Sequence, residues 1–202
     1  MVPIVIIVGA ALWGPIVSKV EQAKYIVIEK HGGIEIRDYA TMIVAETSVS
    51  GDREMAINKG FRAIADYIFG NNVSAQKVAM TAPVTQQSAS ERIAMTAPVT
   101  QTAKGEAWQV RFVMPASYTM ETLPQPINKD IKLREIPSTR YAVIRFSGTG
   151  DQNSLTERTA ELESFIYEKK LKSLSQPTYA FFNPPWTLPF FRRNEVMIEV
   201  NR

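Results

Sequence analysis

Two stretches of this chain share one plan. "IEIRDYATMIVAETSVSGD" runs from Ile34, and "IKLREIPSTRYAVIRFSGTGD" runs from Ile131. Each is a charged strand, a polar break, an apolar strand and a Ser/Gly/Asp ending. A helical pattern follows both. After the first, Ile57, Phe61, Ile64 and Ile68 recur three or four residues apart within Arg53 to Phe69, with Asp52 as N-cap and Gly70-Asn71 as stop. After the second, Leu155, Thr159, Leu162 and Ile166 share a face behind the capping box "SLTE" from Ser154. "DYIF" at Asp66 matches "SFIY" at Ser164, "AMTAPV" from Ala79 aligns loosely with "FFNPPW" from Phe181, and "WQVRFVMP" from Trp108 and "EVMIEV" from Glu195 end the halves. An internal duplication of a strand-strand-helix-strand-strand unit, with pseudo-repeats at about 25–115 and 131–202, predicts an α+β fold. It would be a mixed sheet or barrel with two helices outside. Tyr25 to Glu29 and Ile34 to Tyr39 read as strands joined by the turn "KHGG", and Met42 to Val49 as a third.

Composition bounds the chemistry. At 202 residues, 45% hydrophobic and 21% charged, the chain can build a sizeable core. Its 23 basic residues against 20 acidic ones are scattered, so nucleic-acid binding is not expected. The chain has no cysteine, which excludes disulfides, thiolate catalysis, iron–sulfur clusters and covalent c-type haem attachment. With one histidine, His31, any catalytic triad would have to run through that residue. Glu35, Asp38, Glu135 and Glu161 form no pair of diagnostic spacing, and catalysis is not expected.

Met1 to Val17 carries no charged side chain. As a helix it would span about 25 Å, slightly short of a ~30 Å hydrocarbon core. Residues 1–23 therefore read as a signal anchor or signal peptide, although no basic residue precedes the apolar run and no small-x-small cleavage site stands near Ala23. An apolar amphitropic tail or a buried helix is the alternative. Pro3, Gly9, Gly14 and Pro15 weaken any helix. Lys19, Glu21 and Lys24 fix orientation poorly. The expected location is membrane-anchored through residues 2–17, or exported to the periplasmic side of a bacterial membrane, with the cytoplasm as alternative. The domain proper would be 24–202.

Within the first half, AMTAPVTQ occurs twice, from Ala79 and from Ala94. Apolar and polar positions alternate in each copy, so each reads as a strand, and "QQSASE" between them as a hairpin loop. Pro83 and Pro98 confine these strands to edges, bulges or ends. Met80 and Met95 fit core packing better than ligation. Thr81 and Thr96 read as strand determinants.

"KYIVIEKHGGIEIRDY" from Lys24, "KVAMTAPV", "IAMTAPV", "RFVMP" from Arg111 and "NPPWTLPFFRRNEV" from Asn183 together resemble the SOUL haem-binding family, over nearly the whole chain beyond the apolar segment. The resemblance implies a distorted β-barrel with two flanking helices, built from an internally duplicated βαββ-type unit. It also implies reversible, non-covalent binding of haem or another tetrapyrrole, for transport, buffering or sensing. The implied groove lies between the first helix and the loop before the last strand. If Ile57, Phe61, Ile64 and Ile68 face the barrel, Met55, Lys59, Arg62, Ala63 and Asp66 lie on other faces, the first four as haem contacts. The loop offers Trp186, Leu188, Phe190 and Phe191 to a porphyrin face, and Arg192 and Arg193 to propionates. His31 is the one possible imidazole ligand, though a residue before Gly32-Gly33 favours a solvated turn. No other metal site is expected. An effector-binding or protein-interaction domain for another small apolar ligand is the competing reading.

Overall fold

The computed structural model describes residues 20–74, 90–184 and 186–202. Along the chain lie β1 (Tyr25–His31), β2 (Ile34–Tyr39), β3 (Met42–Ser50), α1 (Arg53–Ile68), β4 (Asn72–Val73), β5 (Val99–Lys104) and β6 (Ala107–Val113). Then come β7 (Gln125–Pro126), β8 (Lys132–Ile136), β9 (Thr139–Phe146), α2 (Gln152–Glu168), β10 (Thr178–Phe181), a 3-10 turn Pro189–Phe191 and β11 (Asn194–Glu199). Nine strands form one sheet in the order β1-β2-β9-β11-β10-β5-β6-β3-β8, while β4 and β7 pair separately. Every neighbouring pair is antiparallel, so the sheet is not mixed. It curls into a half-barrel, with β1 and β8 as its open ends.

Leaving β1 aside, the strand order is palindromic: β2, β9, β11 and β10 answer β8, β3, β6 and β5. The two helices begin alike. Asp52 accepts a hydrogen bond from the Met55 amide, and Asp151 accepts one from the Ser154 amide. The cap of α2 is thus Asp151, not Ser154. Its carboxylate is already in place one residue before the helix, so the Ser154 N–H becomes the group that is capped. Their N-termini meet, with Arg53 Nε donating to Gln152 Oε1 at 3.0 Å.

Alternation in the strands sends apolar residues to the helix-covered face, where each helix has its own core. Leu155, Leu162 and Ile166 of α2 pack with Ile34, Ile36, Ala142, Ile144, Val196 and Ile198. Ile64, Tyr67 and Ile68 of α1 pack with Ala45, Val110, Phe112 and Ile131. Burying each Leu, Ile, Val or Phe among them stabilises the fold by about 1.5–3 kcal/mol relative to exposure. The face of α1 differs from the predicted one. Ala56, Gly60, Ile64 and Tyr67 point at the sheet, while Ile57 and Phe61 are only half-buried. A Cβ on Gly60 would sit 2.6 Å from Val110 Cγ2. The helix lies so close to β6 that only its smallest residues fit beneath it, and the bulkier ones flank the contact.

The turn between β1 and β2 is tighter than predicted. Lys30 and His31 belong to the strand, and Gly32, with φ near +59°, and Gly33 make the turn. The first AMTAPVTQ copy, with Met80, Thr81 and Pro83, lies outside the described residues. In the second copy, Ala94–Pro98 is irregular apart from a bridge between Ala97 and Gln22, and the strand begins at Val99. β5 is flanked on both sides, by β6 and β10. Met95 packs against the α1 core, and the Thr96 hydroxyl donates to the Val113 carbonyl. The apolar segment 1–17 also lies outside the described residues. Among those described, no helix is long and apolar enough to cross a membrane.

Candidate functional site

The loop from Phe182 to Arg193 spends its polar groups on itself. The Arg193 amide donates to Asn183 Oδ1 at 2.7 Å, the Thr187 amide to the Pro184 carbonyl at 3.0 Å, and Arg192 Nε to the Thr187 carbonyl at 2.7 Å. Thr187 is buried. With its interior taken up by these bonds, the loop turns its large apolar residues outward. Trp186 is 69% exposed, Phe190 65%, Phe191 52% and Leu188 45%. The Phe190 and Phe191 rings lie 4.5 Å apart, tilted by 51°.

The turn from Gly148 to Gln152 connects this loop to α1. The Gly148 amide donates to the Pro189 carbonyl at 3.0 Å, and Arg53 reaches the same turn through Gln152 and the Gly150 carbonyl. Of the helix candidates, Met55 is exposed in the first turn, nearest this junction. Lys59 and Arg62 are exposed further along, and Ala63 is half-buried. Arg62 therefore sits about 10 Å up the helix from Met55. Asp66 is hydrogen-bonded by Asn71 and serves the helix end.

His31 is placed elsewhere. It ends the outermost strand β1, and five strands separate β1 from β6, on which α1 lies. Its Nε2 is 3.0 Å from Glu29 Oε2, and its ring lies 5.3 Å from Phe165 of α2. That hydrogen bond, with the nearby charge of Lys169, holds the Glu29 carboxyl below its ordinary range.

The terminal RRNEV signature is largely structural. Arg193 Nη2 bonds Glu195 Oε1 at 2.7 Å and Nη1 bonds Gln22 Oε1 at 3.0 Å, while its guanidinium stacks 3.8 Å over Phe182. Its guanidinium is thereby committed within the fold. Arg37 joins the same network on the face away from the helices. It donates to the fully buried Glu195 at 2.9 Å and to the Tyr39 hydroxyl at 3.2 Å, and its guanidinium lies 4.4 Å over the Tyr25 ring. Burial works against the Arg37 charge, yet Glu195 beside it more than offsets that and tightens its hold on its proton. Burial, helped by the charge of Glu195, raises the Tyr39 hydroxyl well above its usual range. Sequence reasoning missed this network. The signal was the alternation in "IEIRDY", which puts Glu35, Arg37 and Tyr39 on one face of β2.

A cavity of about 370 Å³ lies at a different place, lined by Glu21, Met42, Met114, Tyr118, Met120 and Glu135 among others. None of the nominated residues lines it. Tyr118 donates to Glu91 at 2.7 Å, and this bond and burial push its hydroxyl up to about 12.

A family model described as SOUL heme-binding protein matches residues 20–199. The chain belongs to that family. Heme-binding protein 2 of Homo sapiens is 28% identical over 170 residues, which cover 83% of this chain and 78% of the human one. Among solved structures, the EcmrR C-terminal domain superposes with a TM-score of 0.58 at 13% identity, covering 84% of this chain and 97% of that one. A hydrolase from Listeria innocua gives 0.58 at 10%, covering 86% and 94%. At such identities these two share the fold alone, and the name hydrolase stays with the Listeria protein. The family membership of this SOUL protein concerns binding of haem.

The nominated residues suit one part of such a ligand better than another. Exposed aromatic rings fit the faces of a porphyrin. An imidazole for the iron is not at the loop, because His31 is engaged by Glu29 on β1.

Proposed function

We propose that this SOUL protein binds haem or a related tetrapyrrole reversibly and without a covalent bond, on the surface formed by the 182–193 loop and the outer side of α1. The observation that carries this reading is the loop: four large apolar side chains held outward by an internally hydrogen-bonded backbone. Trp186, Phe190 and Phe191 cover the ring faces. Arg192, Lys59 and Arg62 supply positive charge toward the propionates, and Met55 and Ala63 floor the helix side. The family description supports a binding role rather than catalysis, and transport, buffering or sensing are the uses we propose for it. Titrating hemin into the full chain is expected to give a saturable Soret change near one haem per chain. A response that never saturates, or that an unrelated apolar protein matches, would sink the proposal.

A second reading, a domain for another small apolar ligand or a protein partner, has its own observation. The cavity beside Met42, Met114 and Met120 is rimmed by Glu21, Glu121 and Glu135 against Lys24, the single cation among the described lining residues, a net negative rim that suits a compact amphipathic cation. Competition between hemin and a small lipophilic cation separates the two readings. Independent sites give no competition, and mutual displacement favours the second reading.

Membrane attachment through residues 2–17, with the domain exported or on the periplasmic side of a bacterial membrane, rests on the uncharged run from Met1 to Val17. Recovery of all the protein in the soluble fraction with its N-terminus intact would refute attachment. We further propose that the two halves descend from one βαββ-type unit, supported by the palindromic strand order and the matching caps Asp52 and Asp151. The test aligns 25–115 with 131–202 across relatives, and similarity no better than for shuffled sequences would end the idea.

A further inference from the structure

Clusters of exposed aromatics are uncommon on a free surface, since large apolar residues usually stand there singly. Trp186, Leu188, Phe190 and Phe191 stand within six positions, and the buried Thr187 with the bonds around it keeps them from folding inward. From Phe181 to Asn194 the sequence has two arginines and no acidic residue. The start of the described chain lies against the base of this loop. Gln22 accepts a hydrogen bond from Arg193, Gln22 pairs with Ala97, and Val20 packs against the cluster that holds Phe182. The nineteen residues before Val20 are uncharged from Met1 to Val17, and Val20 itself packs at the base of this loop.

We infer that the 186–191 loop docks into the interfacial layer of a lipid bilayer, as a second membrane contact next to the point where the apolar N-terminal run joins the domain. Trp and Phe are favoured at that depth, and the positive charge of Arg192 beside them suits anionic headgroups, while Arg193 stays paired with Glu195. Peripheral attachment becomes durable when two weak contacts act together, and the loop and the apolar run supply two at one place. The inference goes beyond the haem reading and does not depend on it.

The absence of cysteine makes the test direct. An environment-sensitive fluorophore is attached in the full chain to Phe190→Cys, and as a control to Tyr167→Cys, an exposed position at the far end of α2, about 20 Å along that helix from its start. Haem-free protein is mixed with vesicles of phosphatidylcholine containing a minor share of phosphatidylglycerol, and bound protein is measured by sedimentation. The expected result is a blue shift with a severalfold rise in emission at position 190 and none at 167. In unlabelled protein, Phe190→Ser with Phe191→Ser lowers the bound fraction severalfold. Three results would overturn the inference: no vesicle binding, bound protein whose label at 190 still reports water, or a label at 190 already shielded before vesicles are added, which would mean that the chain itself covers the loop. Because haem is absent throughout, failure here leaves the hemin titration to stand or fall separately.

Discussion

Both halves of the sheet bury a carboxylate on the face away from the helices, and they do so under different conditions. Glu195 is fully buried, and the side chains of its arginines, Arg37 and Arg193, are 3% and 16% exposed. Glu46 takes Arg111 and Arg134, whose side chains are 29% and 56% exposed. Arg37 and Arg134 occupy matching places, in β2 and β8, at the two ends of the palindrome. One topology thus holds a dry ion network under the base of the 182–193 loop and a wet one at the opposite edge. Removing a charge should be felt strongly where water cannot replace it, and little where water can.

The helices differ in the same direction. α1 rests on Gly60 against Val110, while the matching position of α2 is Thr159, half-buried, with its hydroxyl donating to the Leu155 carbonyl. One helix is seated on a glycine in close contact, and the other presents a half-buried threonine at that place.

The largest expected effect is from Glu195→Gln, which leaves Arg37 and Arg193 without their shared counter-charge. The loss in unfolding free energy should be about 3–5 kcal/mol in a urea titration. A loss below about 1 kcal/mol would mean that water reaches the site and that the contrast between halves is false. Next comes Gly60→Ala. Its new methyl meets a stiff, fully buried valine, so a cost of about 1–3 kcal/mol is expected, against a change within about 0.5 kcal/mol for Thr159→Ala. Equal effects from the two would show that both helices sit at the same depth. Glu46→Gln should cost roughly 1 kcal/mol, because its arginines turn to solvent.

The smallest effect concerns the cap of α2. Hydrogen bonds from the Ser154 amide and the Thr149 hydroxyl lower the Asp151 carboxyl to about 2, from an ordinary value of 3.8. A depressed folded value stabilises the fold at pH above the ordinary one, and that contribution is lost as pH falls from near 4 toward 2. Asp151→Asn should therefore lower Tm slightly at neutral pH, and its gap to the wild type should close across that window. A gap that stays constant from pH 6 to pH 2 would deny the cap its charge-dependent share.

The contrast between halves also marks what was legible in the sequence. Most strands and both helices were, because alternation in "IEIRDY" and the three-to-four spacing in α2 directly encode which side is buried, whereas the alternation from Ala94 to Pro98 encoded no strand. The rotation of α1 was not. Spacing alone prefers the bulky Ile57 and Phe61 as core, whereas the sheet's approach selected Ala56 and Gly60, a choice made by tertiary distance. The aromatic loop was visible as composition, and its outward display was not, because that depends on Thr187 and Asn183 using the loop's own polar groups. The roles of Arg193 and Arg37 were hidden for a similar reason: a charged residue at a strand position reads as solvated until a buried partner distant in the chain, Glu195, faces it.

The central claim is that the loop, rather than the cavity beside Met120, takes the haem. It is tested most directly by hemin titrations of the wild type, of Phe190→Ser with Phe191→Ser, and of Met120→Lys, monitored at the Soret band. The loop variant should bind about tenfold more weakly, and the cavity variant within about twofold of the wild type. Loss of binding in Met120→Lys with the loop variant unchanged would contradict the account and move the site to the cavity.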